Sequence, residues 1–185
     1  MKRPIDISTL FPEINMIGDP SIRDGVKEVW DRCWQESAFE RISDVPVTPS
    51  LNYSHVVHNR SVVQMALATA KIVEEFHGAV VNRDYLIAAA LLQDVSKLVE
   101  YQPGEGGEKP HLSEKGTSFQ HGFWGAHMAL EVGLPEEIAQ SVLYHTFEGA
   151  KYPPNLITKI LFYVDQIDMA ALGGDRWKKR GIVYR

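Results

Sequence analysis

Apolar residues recur along this chain at helical spacing. Between Ser21 and Ser37 they fall at Ile22, Val26, Val29, Trp30, Cys33 and Trp34, one stripe of an amphipathic helix for which Ser21 is the expected cap. Val57, Val62, Met65, Ala66, Thr69, Ile72, Val73 and Phe76 predict a long helix over 52–76, with Gly78 as its stop. Asn82 is placed to cap a third helix, from Arg83 to Tyr101, whose Ala88–Leu92 run is apolar all round and belongs in an interior. A helix over 119–132 ends at Gly133, and Pro135 opens another that carries Ile138, Val142 and His145. Pro153 and Pro154 break the chain, and Asn155 caps a last helix to Leu172 with Ile157, Ile160, Leu161, Val164 and Ile167 on its apolar side. Alternation with a period of two is scarce, so the fold class is all-α, a helical bundle.

The segments between these helices suggest the organisation. Residues 1–20 hold Pro4, Pro12 and Pro20 among scattered apolar residues and read as an irregular arm, so 1–49 forms an arm and helix packed on the core. Residues 50–172 form the main helical domain, and 173–185 a basic tail containing Trp177 and Tyr184. The stretch 102–116 is rich in Gly and Pro and is expected to be a loop, placed to cover the end of the central helix. Its Lys109, His111 and Lys115 either meet an anionic substrate or simply face solvent.

Bulk properties narrow the partners. A net charge of −5 over 185 residues argues against a broad basic surface for duplex nucleic acid, though not against a small anionic substrate. Cys33 is the one cysteine, so no intrachain disulfide forms and a reducing compartment is expected. No apolar run reaches membrane-spanning length and no signal-like stretch follows Met1, so a cytoplasmic location with no membrane partner is the expectation. Trp30 and Trp34 belong to a core or an interface; with the basic tail they are the candidates for a homodimer contact.

Candidate chemistry sits in the central helix, where Gln93, Asp94 and Lys97 interrupt an apolar run. A carboxylate there is costly to bury unless it meets a cation, and Lys97 lies three residues on, close to the same face. Histidines stand at 58, 121 and 145, and a further carboxylate, Asp165, lies in the last helix with Asp168 as the competing choice. His55 is a weaker candidate than His58, and His127 should point elsewhere than His121.

The ordered set His58, Gln93-Asp94, His121, His145, Asp165 resembles the HD-domain superfamily of metal-dependent phosphohydrolases. The phrase Leu91-Leu92-Gln93-Asp94-Val95-Ser96-Lys97 matches that family's doublet phrase, except that Gln93 stands at the doublet histidine. The resemblance covers residues 50–172 and implies an HD-like bundle with a metal site between helices. It implies one or two divalent ions (Mn, Fe, Zn, Ni or Mg). The first would be held by His58, Gln93, Asp94 and Asp165, the second by Asp94, His121 and His145. Thr146 stands where many members of the family carry another histidine.

The expected function is then metal-dependent hydrolysis of a phosphate ester or nucleotide-like small molecule. Asp94 is central to it, and Lys97 either stabilises phosphoryl charge or forms an ordinary salt bridge with Asp94 or Glu100. A carboxamide is a poor ligand for zinc, iron or nickel and an acceptable one for magnesium or calcium. Gln93 therefore allows three readings: a natural change that alters the reaction, a domain that binds a ligand without catalysis, or a histidine replaced to trap a complex. A di-iron oxygenase of the HD type, cleaving a C–C or C–P bond, is the alternative enzyme. A catalytically inactive ligand-binding module is the second alternative.

Overall fold

The computed structural model describes residue 2, residues 4–147, residue 149 and residues 155–172. The basic tail over 173–185 and the Pro153–Pro154 break lie outside the described residues. Helix α1 (Ile7–Leu10) and a 3-10 turn over Pro12–Met16 lead into α2 (Pro20–Glu36), and a short ribbon of β1 (Pro46–Thr48) and β2 (Leu51–Ser54) leads into α3 (His55–His77). Then come α4 (Arg83–Leu92), α5 (Lys97–Glu100), a second ribbon of β3 (Tyr101–Gln102) with β4 (His111–Leu112), and α6 (Glu114–Ser118). Helices α7 (Phe123–Glu131), α8 (Glu136–Tyr144) and α9 (Leu156–Leu172) complete the all-α bundle. Among the described residues, no helix is long and apolar enough to cross a membrane.

The local chemistry explains the boundaries. Asp19, not Ser21, caps α2, accepting from Ser21 N at 2.8 Å, with Pro20 at the first helical position. The expected stripe of α2 is buried as a whole; Trp30 is fully enclosed and Trp34 nearly so, which makes both core residues and removes them as dimer contacts. Ser54 caps α3, so the residues before His55 pair as strand β2 instead of extending the helix. Helix α3 buries His55, His58, Asn59, Val62, Val63, Ala66 and Ala70. At about 100° per residue these share one face, which leaves Val57 and Ile72 outside it; Phe76 lies on the side of His58 but is exposed in the last turn, so the stripe expected from sequence is not the buried one.

The largest departure lies in the central helix. It is not continuous from Arg83 to Tyr101: α4 stops at Leu92, residues 93–96 form a tight turn, and α5 starts at Lys97. Through that turn the bonds span three residues, from Val95 N to Leu92 O at 3.1 Å and from Lys97 N to Asp94 O at 3.0 Å. Two carbonyls of this segment also meet side chains. Trp30 Nε1 donates to Leu91 O at 3.1 Å, and His55 Nε2 bonds Asp94 O at 3.0 Å. Every residue from Leu86 to Glu100 is buried, with α4 packed against α2, α3, α8 and α9. The arm joins the same core through Phe11, Ile14 and Ile17.

The stretch 102–116 is less irregular than its composition suggests, since it contains β4, a 3-10 turn over Glu105–Gly107 and the start of α6. Lys115 pairs with Glu36 and lies over the Trp124 ring at 4.3 Å, so it is held on the body. His111 faces Gln102, whereas Lys109 lines a cavity with Tyr53, Ser54 and Pro110.

Trp30 thus caps a helix end and packs against the His55 ring, with centroids 5.7 Å apart. We expect Trp30→Phe to cost about 1–3 kcal/mol, chiefly from the buried carbonyl left without its donor. Urea unfolding followed by fluorescence and circular dichroism checks this.

Candidate metal centre

Asp94 is the hub of the site: it stands in the tight turn at 93–96 and faces His58 of α3 and His145 at the end of α8. Its carboxylate is 1% exposed and uses its two oxygens in two directions. Oδ2 lies 3.1 Å from His58 Nε2 and accepts from Lys97 Nζ at 2.6 Å. Oδ1 lies 3.0 Å from His121 Nε2 and 3.8 Å from His145 Nε2. Asp165 approaches from α9, its Oδ1 3.2 Å from His58 Nε2. The six residues expected from sequence at this site converge, and Lys97 joins them through Asp94 rather than Glu100.

The three imidazoles share one arrangement: Nδ1 is taken by an acceptor and Nε2 is aimed at Asp94. His58 Nδ1 is 2.6 Å from Asp168 Oδ2, and Asp168 is itself held by Ser61 Oγ at 2.5 Å. His121 Nδ1 is 2.6 Å from Glu100 Oε2, whose other oxygen accepts from Gly122 N at 3.2 Å. His145, at the end of α8, places Nδ1 2.7 Å from Val142 O. A ring whose far nitrogen is fixed in this way presents a directed lone pair, as metal-binding histidines do. His55 is built the other way round, with Nε2 on a backbone carbonyl and Nδ1 without a partner among the described residues. Burial pushes its pKa down to about 3, so it is a neutral core residue.

Backbone conformation sets His121. The expected helix over 119–132 starts only at Phe123, and His121 lies in the turn before it. Gly122 adopts a φ of 86°, and a Cβ there would meet Val142 O at 2.7 Å. Three residues on, Gly125 N donates to Ser96 Oγ at 2.7 Å, which ties α7 to the turn that carries Asp94. His127 is exposed and stacks on Phe123, away from the site.

Glu100 and Asp168 are the functional groups that sequence reasoning undervalued. Asp168 appeared as a rival to Asp165, but the two divide the work: Asp165 faces Nε2 of His58 and Asp168 faces Nδ1 behind it. Glu100 entered only as a salt-bridge partner for Lys97. A carboxylate following Leu98 and Val99 in a fully buried run was the available signal.

The charges are strongly coupled. Burial opposes ionisation of Asp94, yet Lys97, His121 and His58 outweigh it and hold the carboxyl well below its ordinary value. Burial also opposes charge on His58, but Asp165, Asp168 and Asp94 raise it to about 11. His121 is raised to about 9 against burial, by Asp94 and Glu100. His145 moves down, through burial and the nearby charge of His121.

This donor set suits a divalent ion. Ligand atoms of Asp94, His121 and His145 all lie within 4.8 Å of one another, and Oε1 of the buried Gln93 has no hydrogen-bond partner among the described residues. An ion on the Nε2 atoms would displace the protons that now neutralise the carboxylates.

Comparison with known proteins adds a relative. Over 132 residues the chain is 32% identical to a dihydroneopterin 2',3'-cyclic phosphate phosphodiesterase of Methanocaldococcus jannaschii. The match covers 64% of this chain and 50% of that protein, so the chain spans about half the relative's length. No family model and no solved structure matches the chain.

The raised histidines predict how the chelator-treated protein responds to pH. Folded His121 and His58 bind protons that the unfolded chain releases near pH 6.5, so their stabilisation is complete below about 6.5. It is lost as pH rises toward about 9 for His121 and about 11 for His58. Thermal melts should therefore fall between pH 6.5 and 9, and His121→Gln should flatten that interval. A melting temperature that rises over this range would contradict the charge assignment.

Proposed function

We propose that this chain is a metal-dependent hydrolase of the HD type, acting on a phosphate ester of a small nucleotide-like molecule. The observation that carries the proposal is the two-sided use of Asp94, one oxygen toward His58 and Lys97 and the other toward His121 and His145. A carboxylate so placed can bridge two ions, the arrangement suited to in-line displacement at phosphorus. The relative named as a cyclic phosphate phosphodiesterase supports the same class, and narrows the first substrates to test to 2',3'-cyclic phosphodiesters.

His58, Asp94 and Asp165, with Gln93 beside them, would hold one ion, and Asp94, His121 and His145 a second. Such an ion, when bound, supplies activation of water and neutralisation of phosphoryl charge. The chain's own groups do the rest. Asp168 and Glu100 fix the rings of His58 and His121 and increase their basicity. Lys97, 8% exposed, keeps three N–H donors beside Asp94 and can offer one to a phosphoryl oxygen. His145, with its pKa lowered, stays neutral near pH 7 and keeps Nε2 as an acceptor. These local cations attract an anion that the net charge of −5 would otherwise repel.

The test is hydrolysis of a nucleoside 2',3'-cyclic phosphate by the full chain, stripped and reloaded with Mn, Fe, Zn, Ni or Mg one at a time. We expect activity with at least one of these ions, its loss on chelation, and no detectable turnover by Asp94→Ala. Lys97→Met should lower kcat by about 10²- to 10³-fold, as loss of a single charge-stabilising donor does. Asp168→Asn should weaken the metal at His58 by about 10- to 100-fold. Turnover unaffected by Asp94→Ala would overturn the proposal. Two tightly held irons without hydrolysis would favour the oxygenase, and no metal uptake the binding module.

A further inference from the structure

Gln93 makes the two halves of this centre chemically unequal. It is fully buried, its Nε2 lies 3.3 Å from His58 Nε2, and its Oε1 has no partner among the described residues. That orientation sets an amide donor against the nitrogen that already faces Asp94 Oδ2 and Asp165 Oδ1. Whether that nitrogen carries a proton or a cation, the group that belongs opposite it is an acceptor. Half a turn about the last side-chain bond exchanges the oxygen and nitrogen of a carboxamide with no change of shape. The rotated amide aims its oxygen into the site and gives Oε1 the electrophilic partner it now lacks.

With that rotation the donors of the two halves differ in kind. The His58 half presents one imidazole nitrogen and three oxygens, from Gln93, Asp94 and Asp165. The other half presents two imidazole nitrogens, from His121 and His145, and one oxygen of Asp94. Oxygen-rich sets suit hard cations such as magnesium and manganese, and imidazole-rich sets suit zinc, iron and nickel. We infer that the centre is heterometallic by construction: the His58–Gln93–Asp94–Asp165 half selects a hard divalent ion through Gln93 Oε1, while Asp94–His121–His145 takes a borderline one. The inference rests on the metal-centre reading above and adds to it the identity of the ion on each side.

The experiment is titration of the full chain, stripped and then loaded with one equivalent of zinc, using Mn²⁺ followed by electron paramagnetic resonance and calorimetry. Wild type should take one zinc and then one manganese. Gln93→Glu should tighten manganese and Gln93→Leu weaken it, each by roughly tenfold or more, as changes around a metal ligand do. Gln93→His should instead admit a second zinc that excludes manganese. First-equivalent zinc uptake, retained in all three variants and lost in His121→Ala, reports that the fold and the other half are intact. Manganese affinities in Gln93→Glu and Gln93→Leu equal to wild type would overturn the inference alone, as would two equivalent zinc ions in wild type. A wild-type chain that takes up no divalent ion would overturn the metal-centre reading and this inference together.

Discussion

One ionised carboxylate in the interior governs this structure. An unpaired Asp94 at 1% exposure would cost several kcal/mol, and the fold answers that cost from four directions at once. Lys97 comes from the next turn, His58 from α3, His121 from the turn before α7 and His145 from the end of α8. The carboxylate that meets them stands where the central helix tightens into the turn at residues 93–96. Trp30 and His55 brace the turn, their ring nitrogens bonded to the carbonyls of Leu91 and Asp94. Stability and chemistry therefore meet in one turn of the backbone.

The same turn gathers Lys97, His58 and His121 around one carboxylate in a chain of net charge −5. Each imidazole is backed by an acceptor that fixes which nitrogen faces inward. Two of those acceptors, Asp168 and Glu100, are carboxylates. Such rings can present Nε2 to a proton or to a metal with the same directionality. Gln93 departs from this pattern. It brings a neutral carboxamide to the His58 side of the centre, its Nε2 3.3 Å from His58 Nε2, at the residue that precedes the hub.

Much of this was legible in the sequence. The stripe of α2, the apolar run of α4 and the Gly78 stop depend on local spacing and backbone freedom, and they appear where expected. The convergence of His58, Asp94, His121, His145 and Asp165 was implied by the resemblance to the HD-domain pattern that their order along the chain carries. What could not be read depends on tertiary partners. The turn after Leu92 is braced by Trp30 and His55, residues distant in sequence. Asp165 and Asp168 lie three apart on α9, and only the orientation of His58 tells the ligand candidate from the residue behind it. Val57 and Ile72 looked like core because they are apolar, yet α3 buries a different face, and Phe76 is exposed at the helix end.

The central claim is that Asp94 and the histidine Nε2 atoms exist to hold a cation. A crystal of the full chain equilibrated with Zn²⁺ and measured at the zinc absorption edge tests it most directly. The account predicts an anomalous peak bounded by Asp94 Oδ1, His121 Nε2 and His145 Nε2, at about 2.0–2.2 Å from each. An anomalous map with no peak among these atoms, and Lys97 and the histidines still satisfying Asp94 alone, would contradict it.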